Sequence, residues 1–343
     1  MKPTYSSNQT ARRLARIALL ALACLTLVPV GSRASSSSGS LTFVELHGRL
    51  RVRGNKIVDM HGDPTTLHGM SLYCWSQAGK QFFNTNAINH LAQDWKCTVI
   101  RIAVLPRDYR NNPTNEIARV QTVIDACIAN GIYALIDWHA MNGAQNNLAS
   151  SRAFFTTLAA AYAKSPNVMY EPWNEPVQES WPVIKAYHEA IITTIRALDP
   201  DGIIICGSRH WDQECAEAAQ DPITISTNIA YSIHFYAATH RQSLRDNGAA
   251  AMKNGVALFA TEYGASSASG GGAYDVEETK LWWAWLEANN ISCANWSMAA
   301  LDETSAALKP AASATGPWTD DMLKPSGLLV RDYIISKYLS TGH

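Results

Sequence analysis

The sequence predicts an α/β chain, a (β/α)8 TIM barrel with an N-terminal β-hairpin. Three observations carry that expectation. Short β-branched runs recur eight times, longer segments with helical periodicity lie between them, and polar side chains collect where the runs end. Strands that alternate with helices build a parallel sheet, and right-handed crossovers close it into a barrel. An open doubly wound sheet also holds eight strands, but no Gly-rich phosphate loop of the kind that usually accompanies one follows any run.

The first 40 residues are of a different material. Arg12, Arg13 and Arg16 lead into IALLALACLTLVPV, and small residues follow in GSRASSSSGS. Basic, then apolar, then small is the layout of a secretory signal peptide, and the apolar run is short for a membrane anchor. Residues 1–40 are therefore set aside as a signal peptide with a Ser-rich linker. Residues 41–343 are expected to form one catalytic domain, exported to the periplasm or the medium and free of the membrane once the signal is removed.

Next comes LTFVELHGRLRVRGNKIVDMHG, which alternates apolar with polar residues and turns at Arg53-Gly54-Asn55, as antiparallel hairpin strands do. The eight barrel runs are TTLHGMSLY, CTVIRIAV, IYALIDWH, NVMYEPWNE, GIIICGS, NIAYSIHFY, VALFATEYG and ISCANWS. Helices are expected between them, among them NEIARVQTVIDACIANG with Gly131 as its stop, WPVIKAYHEAIITTIRALDPDG, and YDVEETKLWWAWLEANN.

Charge narrows the partners. The chain has 28 basic and 29 acidic residues, and five of the basic but none of the acidic ones precede position 41, so the remainder is net acidic by six. That balance discourages nucleic acid as a partner. Beyond Cys24 stand Cys74, Cys97, Cys127, Cys206, Cys215 and Cys293 without metal-ligand spacing. Export permits disulfides, while several of these cysteines lie in apolar runs as buried thiols do, so both readings stand.

Barrels of this type place their chemistry at the C-terminal ends of the strands. The second run carries Arg101, the third Asp137 and His139, and the fourth Asn174 and Glu175. The sixth carries His234 and Tyr236, the seventh Glu262, and the eighth Asn295 and Trp296. Each alone is more often a satisfied core group; six at corresponding ends point to one shared polar cavity. Carboxylates on the fourth and seventh strands, facing each other across the barrel mouth, suit glycosidic cleavage, with one protonated acid and one ionised base or nucleophile. Arg101 is placed to keep Glu262 anionic, and desolvation beside Pro172, Trp173 and Pro176 favours a protonated Glu175. Glu171, four residues deeper, is read as structural.

These residues resemble glycoside hydrolase family 5, and most of all its bacterial endo-β-1,4-glucanase branch. The resemblance runs from LHGMS to SGLLVRDYI and rests on DWH at 137–139, NEP at 174–176, HFYAATH at 234–240, TEYG at 261–264, and NWS followed by ETSAALKP at 303–310. It implies that Glu175 is the acid/base and Glu262 the nucleophile of a retaining hydrolase acting on β-1,4-glucan. It further implies that Asn174 contacts the neighbouring sugar hydroxyl, that Arg101 and Tyr236 orient Glu262, and that His139 and His234 line the same subsite. Trp296 and Trp211 would be sugar platforms, and Glu303 would bind hydroxyls on the non-reducing side. No cofactor or metal is implied, and a monomer is expected. Two departures fall on the non-reducing side: Leu301 stands where relatives have Lys, and Tyr73-Cys74 where they often have His-Gly. Alternatives are a mannanase or a mixed-linkage or xyloglucan-directed glucanase, a sugar-binding barrel without catalysis, and a metal-dependent barrel hydrolase with His139, His234 and Asp137 as ligands. The chain ends soon after its eighth strand and helix, so no separate carbohydrate-binding module is expected.

Overall fold

A computed structural model describes residues 41–340; the signal-peptide reading of residues 1–40 lies outside them. The strands in chain order are β1 (Arg51–Arg53), β2 (Lys56–Val58), β3 (His68–Leu72), β4 (Val99–Val104), β5 (Tyr133–Trp138), β6 (Val168–Glu171), β7 (Ile204–Cys206), β8 (Ile229–Ser232), β9 (Phe235–Tyr236), β10 (Ala257–Gly264) and β11 (Ser292–Met298). β1 and β2 form the antiparallel hairpin, turning at Gly54-Asn55. The order β3-β4-β5-β6-β7-β8-β10-β11 is parallel throughout, and β11 pairs back onto β3, closing an eight-stranded barrel. All eight expected runs are its strands.

Two runs differ in detail. NIAYSIHFY divides into β8 and the two-residue β9, with Ile233 and His234 between them, and β9 pairs only with the end of β10. β6 stops at Glu171, because Pro172 has no N–H to continue the ladder. The NEP motif therefore stands on the loop above the strand.

The hairpin expectation was too broad at its N-terminal side. LTFVELH is not a strand, since Phe43–His47 forms a helix. Thr42 accepts from the Glu45 N–H while the Glu45 carboxylate accepts from the Thr42 N–H, a capping box that the apolar alternation of the segment masks.

Residues of the barrel strands are buried on both faces, which explains why the runs read as continuously apolar. Val99, Tyr133, Leu135, Met169, Ile205, Ala257 and Phe259 point into the barrel, where Phe43, Val44, Leu50 and Ile57 plug its lower end. Ile100, Ile102, Ala134, Ile136, Val168, Ile204 and Leu258 point outward and pack under the helices. Along β4 and β5 the alternation continues upward, so Arg101 and Asp137 emerge inside the mouth while Trp138 turns out against Tyr109 and Phe154. No helix among the described residues is long and apolar enough to cross a membrane.

All six described cysteines are free and buried, and burial pushes every thiol pKa up. Of the two readings left open, the structure takes the thiol. A reductant should accordingly leave the thermal midpoint within about 1 °C; a native disulfide is worth about 2–5 kcal/mol, and its loss would lower Tm by several degrees.

Candidate active site

Arg101 sits at the centre of the barrel mouth, completely buried. Its Nε donates to Glu171 Oε2 at 2.7 Å and its Nη2 to Glu171 Oε1 at 3.1 Å, a two-pronged pair. Nη1 donates to Glu262 Oε2 at 2.9 Å, and Nη2 also reaches Asn174 Oδ1 at 2.6 Å and Asp137 Oδ2 at 3.0 Å. Burial acts against the Glu171 carboxylate, but the Arg101 charge and hydrogen bonds from His234 and Arg101 overcome it and hold its pKa near 2. At Asp137 burial prevails over Arg101, and the pKa is raised.

Glu262 reaches this centre through an irregularity in β10. Ala260 pairs with Cys293 and Tyr263 with Asn295, so three steps along β10 oppose two along β11. The extra residue is a β-bulge. In a regular strand, Thr261 and Glu262 would face opposite sides; here both face inward. Thr261 Oγ1 donates to Glu171 Oε1 at 2.8 Å, and Glu262 meets Arg101 and the Tyr236 hydroxyl, which donates to Oε1 at 2.6 Å. Tyr236 lies against Gly264, where a Cβ would come within 2.5 Å of its ring.

Glu175 faces His234, with Oε1 2.9 Å from Nδ1, while His234 Nε2 lies 2.8 Å from Thr261 Oγ1. Trp173 does not cover Glu175 as its place in the sequence suggests. It turns away into the outer core, 5.0 Å from Tyr187 between ring centroids, with its indole N–H on the Met141 carbonyl. An oxygen of Glu175, an oxygen of Glu262 and a nitrogen of His234 all lie within 4.8 Å of one another. These three groups, with Met141, Trp211, Gln213, Tyr236, His240 and Ala268, line a cleft of about 400 Å³.

The remaining predicted residues surround this centre unevenly. His139 Nδ1 lies 2.7 Å from Asp137 Oδ2, and the ring stacks parallel to Trp296 at 5.0 Å. Burial, and then the Arg101 charge, push its pKa down to about 4, so the ring is neutral through the physiological range. Trp296 is only 6% exposed, with Tyr73 tilted against it at 5.5 Å, so little of its face is open to a ligand. The indole that does stand open there is Trp75, 45% exposed and edge-on to His139 at 5.9 Å. Nothing in SLYCWSQ distinguishes Trp75 from a packing tryptophan, since its openness comes from the loop after β3. Trp211, 43% exposed, flanks Glu175 from the opposite direction. Glu303 stands apart from the carboxylate centre, held by the Ser305 hydroxyl at 2.9 Å and lodged against Gly270. A larger hollow of about 750 Å³ between Gly272–Tyr274, Asp302 and Lys324 contains none of the predicted residues.

The loop that carries Trp211 is strained. His210, Trp211 and Asp212 have φ of 51, 58 and 59° in succession. A left-handed conformation costs a non-glycine residue about 1–2 kcal/mol, so something must hold the loop. Among the described residues, two sets of groups are close enough to hold a metal ion, Glu171 with Asp212 and His234, and Glu175 with His234 and Glu262. In both, the His234 nitrogens already face Glu175 and Thr261, and both Glu171 oxygens already take Arg101. This donor set is committed to hydrogen bonds and fits an ion poorly.

Comparison with known proteins follows the same lines. Residues 58–302 match a family model described as cellulase, glycosyl hydrolase family 5. Endoglucanase Z of Dickeya dadantii is 43% identical over 257 residues, 73% of this chain, which spans 59% of the length of that relative. An endoglucanase of Clostridium saccharobutylicum is 37% identical over 92% of this chain and 71% of its own length. Among solved structures, one from Cytophaga hutchinsonii superposes with a TM-score of 0.85 at 45% identity, covering 88% of this chain and 99% of that one. A variant of the catalytic domain of Thermobifida fusca endoglucanase Cel5A in complex with cellotetraose gives 0.82 at 32% identity, covering 86% and 99%.

Two expectations follow from the electrostatics. Arg101→Ala strands several buried carboxyls at once and should cost about 3–5 kcal/mol in urea denaturation, with Arg101→Lys recovering only part because an ammonium cannot form the fork. For His139, the folded pKa of about 4 lies below the ordinary value near 6.5, so its contribution to stability is full above pH 6.5 and is lost as pH falls towards 4. Relative to His139→Asn, the wild type should lose about 3 kcal/mol between pH 7 and pH 4, and parallel stability curves would contradict this.

Proposed function

Since this chain belongs to glycosyl hydrolase family 5, on whose cellulase model residues 58–302 fall, we propose that it is an endo-acting β-1,4-glucanase that works by double displacement with retention. The observation that carries the mechanism is the closeness of the two carboxylates, whose oxygens approach within 4.8 Å. Retaining glycosidases hold their carboxyls about 5–5.5 Å apart, whereas inverting ones leave about 6.5–9.5 Å for a water.

In this reading Glu262 attacks the anomeric carbon. Arg101 and the Tyr236 hydroxyl, one on each of its oxygens, keep the carboxylate aimed. Glu175 protonates the departing glycosidic oxygen, then takes a proton from the water that releases the glycosyl-enzyme. His234 borders Glu175 and is the neighbour through which its proton is oriented. Asn174, whose Oδ1 is taken by Arg101 and whose Nδ2 donates to Met141 Sδ at 3.5 Å, keeps its second amide hydrogen for a sugar hydroxyl. His139 lines the same subsite as a neutral ring, Trp211 supports the leaving-group side, and Trp75, Trp296 and Glu303 lie on the other side of the centre.

Support for the substrate comes from relatives named endoglucanases and from a related catalytic domain crystallised with cellotetraose. Such a polymer stays outside cells, which agrees with export of the chain. Purified protein should rapidly lower the viscosity of carboxymethylcellulose, with or without EDTA, and outpace its own rates on mannan and xylan. Proton NMR of fresh product should show the β-anomer first. Glu175→Gln should cost about 10²–10⁴-fold in kcat on carboxymethylcellulose and Glu262→Gln at least as much. An α-anomeric first product, or near wild-type turnover by either variant, contradicts the assignment. Activity confined to another backbone keeps the carboxylate pair and changes the substrate.

A further inference from the structure

Trp211 and Glu175 stand on loops after different strands, and one buried side chain connects them. Asp212, fully buried, follows Trp211 directly in the left-handed loop. Its Oδ1 accepts from the Ser208 N–H at 2.7 Å, across the loop's base. Its Oδ2 accepts from the Ser232 hydroxyl at 2.7 Å and lies 3.3 Å from His234 Nε2. The other nitrogen of that imidazole is the one facing Glu175. The Trp211 N–H in turn donates to the carbonyl of Pro176, the residue after Glu175, at 3.0 Å. Gly207 seals the arrangement, since a Cβ there would come within 2.8 Å of both Asp212 Oδ1 and the Trp173 carbonyl.

A carboxyl withdrawn entirely from water is costly and is retained where its contacts answer for it. One oxygen of Asp212 answers for the loop. The other is not needed there and is aimed at His234. Around that ring, Thr261 and Glu171 hold Nε2 from β10 and β6, and Glu175 holds Nδ1. We propose that Asp212 is a positioning residue that ties the Trp211 platform to the His234–Glu175 pair, so that the sugar resting on the leaving-group side and the carboxyl that protonates its oxygen are held in fixed relation. The proposal rests on the reading of Glu175 as the acid/base.

The test compares two substrates. Cleavage of cellotetraose expels its reducing-end portion through a poorly leaving sugar oxygen, which needs both the proton of the acid and the leaving-group platform, whereas dinitrophenyl β-cellobioside releases a phenolate that needs neither. The readout is the ratio of kcat/KM for the first to that for the second. Asp212→Ala should lower this ratio by at least about tenfold, with kcat falling as well as KM rising, while Trp211→Ala acts mainly through KM. Asp212→Asn, similar in shape, should recover at least about threefold of the loss. A folded Asp212→Ala protein that loses both substrates equally, or neither, overturns the proposal. Should that variant not fold, Ser232→Ala removes the hydroxyl on Oδ2 and is expected to show the same selective loss; an equal loss there is equally decisive. Glu175→Gln serves as the control. If it discriminates between the substrates and the Asp212 variants do not, only this inference fails; if it does not discriminate, the acid/base assignment fails and this proposal with it.

Discussion

Everything at the barrel mouth depends on one buried cation. Arg101 touches Glu171, Glu262, Asn174 and Asp137, and so links β4, β5, β6, β10 and the loop above β6. Carboxylates this close repel, and each separately loses its hydration on burial. The guanidinium answers both difficulties because its donors fan out in one plane and its charge is permanent. Glu171 takes two of its hydrogen bonds, one on each oxygen. Glu262 keeps one oxygen on Arg101 and the other on Tyr236, which orients it without spending the fork on it.

How those side chains arrive is a matter of backbone. On β4 and β5 simple alternation suffices, and Arg101 and Asp137 are inward because Val99, Tyr133 and Leu135 are. On β6 the proline after Glu171 ends the ladder, freeing Asn174 and Glu175 to rise into the loop. On β10 alternation would have failed, and the bulge supplies the missing half-step. Rigid strands below and irregular backbone above divide the labour between stability and chemistry.

Much of this was legible in the chain. The eight runs, their closure and the polar ends follow from period and burial, which a parallel sheet imposes on every strand. The early helix was not, because FVEL alternates as a strand does and only the Thr42–Glu45 pair distinguishes it. Trp173 could not be placed, since whether a residue after Pro172 faces cleft or core depends on a loop without a period. The same holds for Trp211 and Asp212, whose left-handed run has no propensity signal: His, Trp and Asp in sequence would ordinarily be read as a helix start. Trp75 and Trp296 are chemically alike in the sequence, and only burial separates the open indole from the covered one.

The bulge in β10 has a bearing on how such a mouth can change over time. Because two successive side chains share the inner face only by virtue of one surplus residue, inward geometry here belongs to the ladder's count and not to the identity of Glu262. Losing a residue between Ala260 and Tyr263 would restore a regular pairing with β11 and keep Tyr263 in the outer core, but it would leave room for one inward side chain where Thr261 and Glu262 now stand. Substitution can therefore explore this position one side chain at a time, but length cannot drift at all. A strand of this kind tolerates variation in letters and none in spelling length, and a graft of TEYG onto an unbulged strand would carry the residues without their direction.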